Sequence, residues 1–148
     1  MVQREIGYLL YNLILIMFAV ILLPYFCCRN LILRRPLLPY FNNLSRQNLE
    51  RLDGKPVIWI QAVSVGETVV ANCILGEIRK LLPDYQIVFT TTTPTGQAMA
   101  KNLLGETAII TYFPFDFSWL LKRFIRLIKP RLFIMVETEI WPNAIRYA

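Results

Sequence analysis

Hydrophobic and polar positions follow two distinct rhythms along this chain. From Ile6 to Cys28 no charged residue appears, and an apolar run of about 20 residues is long enough to cross a bilayer as a helix. After Pro56 the apolar runs become short and rich in β-branched and aromatic residues, and each is followed by a segment of helical period. Residues 57–63, 86–91, 107–112 and 131–136 read as strands, with helices from Glu67 to Leu82, from Pro94 to about Leu104 and from Phe117 to about Ile128. In the first helix Val70, Ile74, Ile78 and Leu81 recur at helical spacing and are expected to face the core. Thr93 reads as the N-cap of the second, with Pro94 at its first helical position. Pro114-Phe115-Asp116 is expected to cap the third, which carries Leu120, Leu121, Phe124 and Ile128 on one side and Lys122, Arg126 and Lys129 on another. Strands and helices alternating over short connections predict an α/β fold with a parallel, doubly wound, Rossmann-like sheet.

Between the two rhythms, Pro36, Pro39 and Asn42-Asn43 break regular structure, and residues 45–52 can form a short helix with Leu44, Leu49 and Leu52 on one side. Three segments result: a membrane anchor over 1–28, a basic juxtamembrane linker over 29–55 and an α/β domain over 56–148.

Composition sharpens the first two. The 148 residues are 55% hydrophobic with a formal charge of +6, and much of the apolar excess lies in the anchor. The run is too long for a signal peptide and no small-x-small cleavage site follows it. Arg29, Arg34 and Arg35 follow the run, which predicts a single pass with everything after Arg29 in the cytoplasm. The linker's arginines, Arg34, Arg35, Arg46 and Arg51, fit anionic lipid headgroups. Cys27, Cys28 and Cys73 form neither a metal-ligand spacing nor a disulfide framework. Nucleic acid is not expected as a partner, since the basic and aromatic interleaving of the usual modules is missing.

The unusual polar residues gather after the strands. Ser64-Val65-Gly66-Glu67, Thr92-Thr93-Pro94-Thr95-Gly96, Pro114-Phe115-Asp116 and Glu137-Thr138-Glu139 each follow a strand's carboxyl end, the edge where open α/β sheets bind ligands. Ser64-x-x-Glu67 also has the form of a capping box, and both readings of Glu67 stand on local pattern. Gly66 weakens a helix start by roughly 1 kcal/mol relative to Ala, which suits a place where a ligand approaches. The chain has no histidine, so a Ser-His triad is excluded within it and a general base at this edge would be a carboxylate. There is neither a GxGxxG nor a P-loop pattern, and no His/Cys/carboxylate cluster for zinc.

Val63-Ser64-Val65-Gly66-Glu67, Thr91 to Gly96, Phe113-Pro114-Phe115-Asp116 and Glu137-Thr138-Glu139-Ile140-Trp141-Pro142-Asn143 together resemble the N-terminal half of the 3-deoxy-D-manno-octulosonic acid (Kdo) transferases. The resemblance takes in the anchor and nearly all of residues 56–148. It implies a GT-B enzyme of lipopolysaccharide synthesis in the inner membrane, an inverting glycosyltransferase whose N-terminal domain faces the lipid A precursor and whose C-terminal domain binds CMP-Kdo. It further implies that Glu67 is the general base, that Glu137 and Glu139 shape the cleft, and that no metal or cofactor takes part. Ser64, Gly66, Thr93, Thr95, Gly96 and Asp116 complete the expected acceptor-side residues. Two departures accompany the match. Gln61 stands where the family often has histidine, and the sequence ends at Ala148, so the donor domain is expected to be missing and this piece alone to be inactive. The competing class is a membrane-anchored, non-catalytic Rossmann-like module that binds lipid or a partner.

Overall fold

The computed structural model describes residues 2–32, 44–52, 54–136 and 140–148. The chain runs through α1 (Val2–Ile32), α2 (Arg46–Glu50), β1 (Val57–Gln61), α3 (Val65–Leu81), β2 (Gln86–Thr91), α4 (Pro94–Leu104), β3 (Ile109–Tyr112), α5 (Ser118–Ile128), β4 (Pro130–Met135) and α6 (Pro142–Tyr147). The four strands pair in parallel in the order β3-β2-β1-β4. This is the α/β sheet that the strand and helix alternation predicts.

Successive side chains of a strand point to opposite faces, and the two faces of this sheet build separate layers of core. Val57, Trp59, Val88 and Ile109 pack with Leu121, Phe124 and Ile128 of α5 and Ala144 of α6. Ile58, Ile60, Ile87 and Phe89 pack with Ala71 and Leu75 of α3 and Ala100 and Leu104 of α4. Trp59 centres the first layer, its ring stacked on Phe133 at 4.0 Å and tilted against Phe124 at 5.2 Å. Leu44 and Leu52, from the stretch read as linker, are buried in that same layer.

One expected core face is corrected. α3 turns Thr68, Ala71 and Leu75 to the sheet, whereas Val70, Ile74 and Leu81 are 49%, 44% and 77% exposed; of the expected four, Ile78 packs against the core. Both stripes have helical spacing, so periodicity cannot choose between them. The stripe with Thr and Ala brings the helix backbone closest to the strands and wins on packing density.

α1 is a single helix, longer at both ends than the apolar run, with Pro24 inside it. Its segment Glu5–Arg29 is long and apolar enough to cross a membrane, and none of the most apolar window is buried.

Candidate functional site

The connections β1-α3-β2-α4-β3 step in one direction with both helices on one face, and the chain then crosses by α5 on the other face to β4, beside β1. The strand order therefore reverses between β1 and β4, the place where open α/β sheets bind their ligands at the carboxyl ends. The Val136 amide donates to the Gln61 carbonyl at 2.9 Å, which keeps the two strand ends together up to that place. Glu137, Thr138 and Glu139 come next, and they lie outside the described residues.

Glu67 is 7% exposed in the first turn of α3. Its Oε2 accepts from the Val63 amide at 2.5 Å and its Oε1 from the Ser64 hydroxyl at 2.8 Å. Neither of the two reciprocal bonds of a capping box is made. The Ser64 hydroxyl caps no amide of α3 but donates to the carboxylate, and the carboxylate takes the amide one residue before the cap. A negative group here is favoured by the N-terminal amides and dipole of α3. Beside it Gly66 is exposed, and an added Cβ there would meet nothing within 4 Å among the described residues, so this face is open to them.

The loop after β2 closes against the same turn. Thr93 Oγ1 accepts from the Gly96 amide at 3.1 Å, as an N-cap should, and donates to the Val63 carbonyl at 3.0 Å. Gly96 is buried in that contact, where a Cβ would lie 2.9 Å from Thr93 Oγ1 and 3.1 Å from the Val63 carbonyl oxygen. Its role is close approach of backbone to backbone, while Thr95 stands exposed at the rim. Ser64, Gly66, Glu67, Thr93, Thr95 and Gly96 are brought together as one edge.

Beneath that edge lies a polar floor that the sequence reading did not pick out as a unit. Trp59 Nε1 donates to Thr90 Oγ1 at 2.8 Å, Thr90 Oγ1 donates to Gln61 Oε1 at 2.5 Å, and Gln61 Nε2 donates to Thr92 Oγ1 at 3.2 Å. Thr91 Oγ1 likewise donates to buried Gln97. Gln61 thereby links the core tryptophan to the loop after β2. Its amide supplies a donor and an acceptor without a titratable charge.

Asp116 does something other than expected. α5 starts at Ser118, with Phe117 at its N-cap and no side-chain cap. The Asp116 carboxylate reaches instead to the distant α6, where Oδ2 accepts from the Asn143 amide at 3.0 Å and Oδ1 from the Ala144 amide at 2.9 Å. Oδ2 also accepts from the Tyr11 hydroxyl of α1 at 2.7 Å. Burial pushes this carboxyl above the usual aspartate range, and these hydrogen bonds pull it back toward the charged form. Asn143 completes the corner by donating to the Asp116 carbonyl at 2.6 Å and to Asn12 at 2.9 Å.

Among the described residues no group of three His, Cys, Asp or Glu side chains is placed to hold a metal ion. The edge offers one fixed carboxylate, three hydroxyls and an exposed glycine, an arrangement suited to accepting a proton from a bound hydroxyl. The sequence profile of the 3-deoxy-D-manno-octulosonic-acid transferases matches residues 40–148. The chain belongs to the Kdo transferase family. The match begins after α1, so the anchor is not part of it. Similar proteins include the 3-deoxy-D-manno-octulosonic acid transferase of Haemophilus influenzae, 40% identical over 60% of this chain, and that of Rickettsia conorii, 33% identical over 66%. A probable mitochondrial 3-deoxy-D-manno-octulosonic acid transferase of Arabidopsis thaliana is 34% identical over 62%. The aligned part is 21% of each of these relatives, so the chain spans about a fifth of their length.

Proposed function

We propose that this chain is the acceptor-side, Rossmann-like part of a GT-B Kdo transferase that moves Kdo from CMP-Kdo to a lipid A precursor, with inversion, at the cytoplasmic face of the inner membrane. The observation that carries the reading is the Glu67 carboxylate, fixed at the strand-order reversal beside the open face of Gly66. The Val63 amide holds one oxygen in place. The other is held by a hydroxyl, which can rotate away and leave Oε1 free to accept the acceptor's O–H.

Glu67 takes that proton as the acceptor oxygen attacks the anomeric carbon of Kdo. The new C–O bond forms as the bond to the CMP phosphate breaks, and CMP leaves with the bonding electrons. A positioned base of this kind contributes typically 10²- to 10⁴-fold to rate. Ser64, Gly66 and Thr95 border the acceptor's approach, Thr93 and Gly96 lock the loop that supports it, and Glu137 and Glu139, which follow β4, are the further carboxylates assigned to the cleft. Asp116 holds α6 against the domain. The donor sits in the second domain that the family pattern implies. Membrane attachment comes from α1, and the Arg29, Arg34 and Arg35 cluster supports the cytoplasmic side.

The test is incubation of the full-length protein with CMP-Kdo and a lipid A precursor, with the product read by mass. One or more added Kdo residues are expected. A full-length protein that binds the precursor without product would instead support the non-catalytic module.

A further inference from the structure

We propose that α1 does not cross the bilayer: its first third is part of the α/β domain, its remainder inserts into one leaflet, and both its ends stay on the domain's side. This goes beyond the functional reading and does not depend on the chemistry at Glu67.

The first observation is a set of polar contacts between the start of α1 and the domain. Tyr11 donates to the buried carboxylate of Asp116 at 2.7 Å. Asn12 accepts from the Ser118 hydroxyl at 2.7 Å and from the side-chain amide of Asn143 at 2.9 Å. One turn earlier the Arg146 guanidinium lies over the Tyr8 ring at 4.4 Å, and its ion pair with Glu5 is 2.5 Å long. Asp116 and Asn143 are buried residues of the domain, so α1 docks there through groups that need these partners.

The second observation is where the chain returns. Leu44 is buried beside Leu52 and Trp59 in the same domain. If Tyr11 and Asn12 stay docked and α1 crosses the bilayer, residues 33–43 must cross back. Those eleven residues include Arg34, Arg35, Pro36, Pro39, Asn42 and Asn43. Coiled as a helix, eleven residues reach about 16 Å, short of a hydrocarbon core of about 30 Å, and any more extended form would leave backbone groups unpaired in lipid, which does not occur. Docking and crossing therefore exclude each other. The apolar part beyond these polar contacts, Leu13 to Cys28, is sixteen residues, about 24 Å at 1.5 Å per residue, whereas a hydrocarbon core of about 30 Å asks for some 20 residues.

The third observation names the occupant of the exposed surface. Leu13, Ile14, Ile16, Met17, Phe18, Val20 and Ile21 of α1 are all exposed, so the helix is apolar on every side. Trp119, 62% exposed, and Phe117 border a shallow groove against Ile16, Val20 and Leu23. An all-round apolar helix flanked by an exposed Trp matches acyl chains below a headgroup layer, where such aromatic rings settle. A protein partner would leave one polar face on the helix.

The test uses the full-length protein in its own membrane, with an epitope tag at the N-terminus and protease added to spheroplasts or to inside-out vesicles. The tag should survive in spheroplasts and be lost in inside-out vesicles together with the domain. As a check free of the tag, Glu5→Cys in a full-length protein whose native cysteines are all serine, Cys27, Cys28 and Cys73 among them, should react with an impermeant maleimide in inside-out vesicles and not in spheroplasts. Loss of the tag or labelling of Glu5→Cys from the outside, with the domain protected, would mean a crossing helix and overturn the proposal. If tag and domain are both cut in spheroplasts, the non-crossing helix stands and the cytoplasmic placement in the functional reading falls.

Discussion

Two carboxylates stand past strand ends at the carboxyl edge of this sheet, Glu67 after β1 and Asp116 after β3, and they are held in opposite ways. Glu67 is held by neighbours three and four residues away, one a fixed backbone amide and the other a rotatable hydroxyl. Asp116 is held by two fixed backbone amides 27 and 28 residues on and by a tyrosine 105 residues back. The first carboxylate can release a partner and accept another beside an open glycine face. The second ties three elements together and has no such freedom. Position at the binding edge is common to both, and the partners decide which is available for chemistry.

The contrast can be broken by substitution. Asp116→Ala leaves two buried amides and a tyrosine hydroxyl without an acceptor, each costing about 1–3 kcal/mol. The largest loss of stability is expected here, several kcal/mol in all, seen as a sharp fall in melting temperature. A melting temperature near that of the parent would show that the corner does not hold the fold. Gly96→Ala comes next, since its methyl would press on Thr93 Oγ1 and the Val63 carbonyl. A loss of about 1–3 kcal/mol by overpacking is expected, and an unchanged denaturation midpoint would show that this loop gives way easily.

Gly66→Ala is the smallest in stability and separates the two glycines. Its methyl meets no atom within 4 Å among the described residues, so the helix start should gain about 0.5–1 kcal/mol. Transfer by the full-length protein should fall roughly tenfold or more, because displacement of a reactant by about 1 Å can cost 10²-fold. A variant both more stable and fully active would mean that no ligand approaches that face.

The same contrast explains what could be read from the sequence. The strands, the Thr93 cap and the apolar face of α5 were legible because each is a local pattern of period two, period 3.6 or a cap with its proline. Glu67 was legible as a residue of interest because its partners lie within one turn. The buried face of α3 was not, since two apolar stripes have the same period and only contact with the sheet separates them. The role of Asp116 was not legible either, because hydrogen bonds to Tyr11 and Asn143 span more than one element and leave no periodic trace. Gln61 was seen as a departure from the family, but its link from Trp59 to Thr92 needs the β1–β2 pairing to exist. Glu137 and Glu139 fall outside the described residues, and their place in the cleft stays part of the proposal.

The central claim is that Glu67 is there for chemistry and Asp116 for architecture, and the most direct measurement takes melting temperature and turnover of Glu67→Gln and Asp116→Asn side by side in the full-length protein. In Glu67→Gln the amide oxygen can keep the Val63 amide while its NH₂ donates to a rotated Ser64 hydroxyl, so stability should change by under about 1 kcal/mol. Turnover should fall by 10²- to 10⁴-fold, because the amide cannot take the proton. In Asp116→Asn the new NH₂ must face a fixed amide or the tyrosine, so the melting temperature should drop clearly while the folded fraction still transfers Kdo. Near-parent turnover by Glu67→Gln, or a fully stable but inactive Asp116→Asn, would contradict the account.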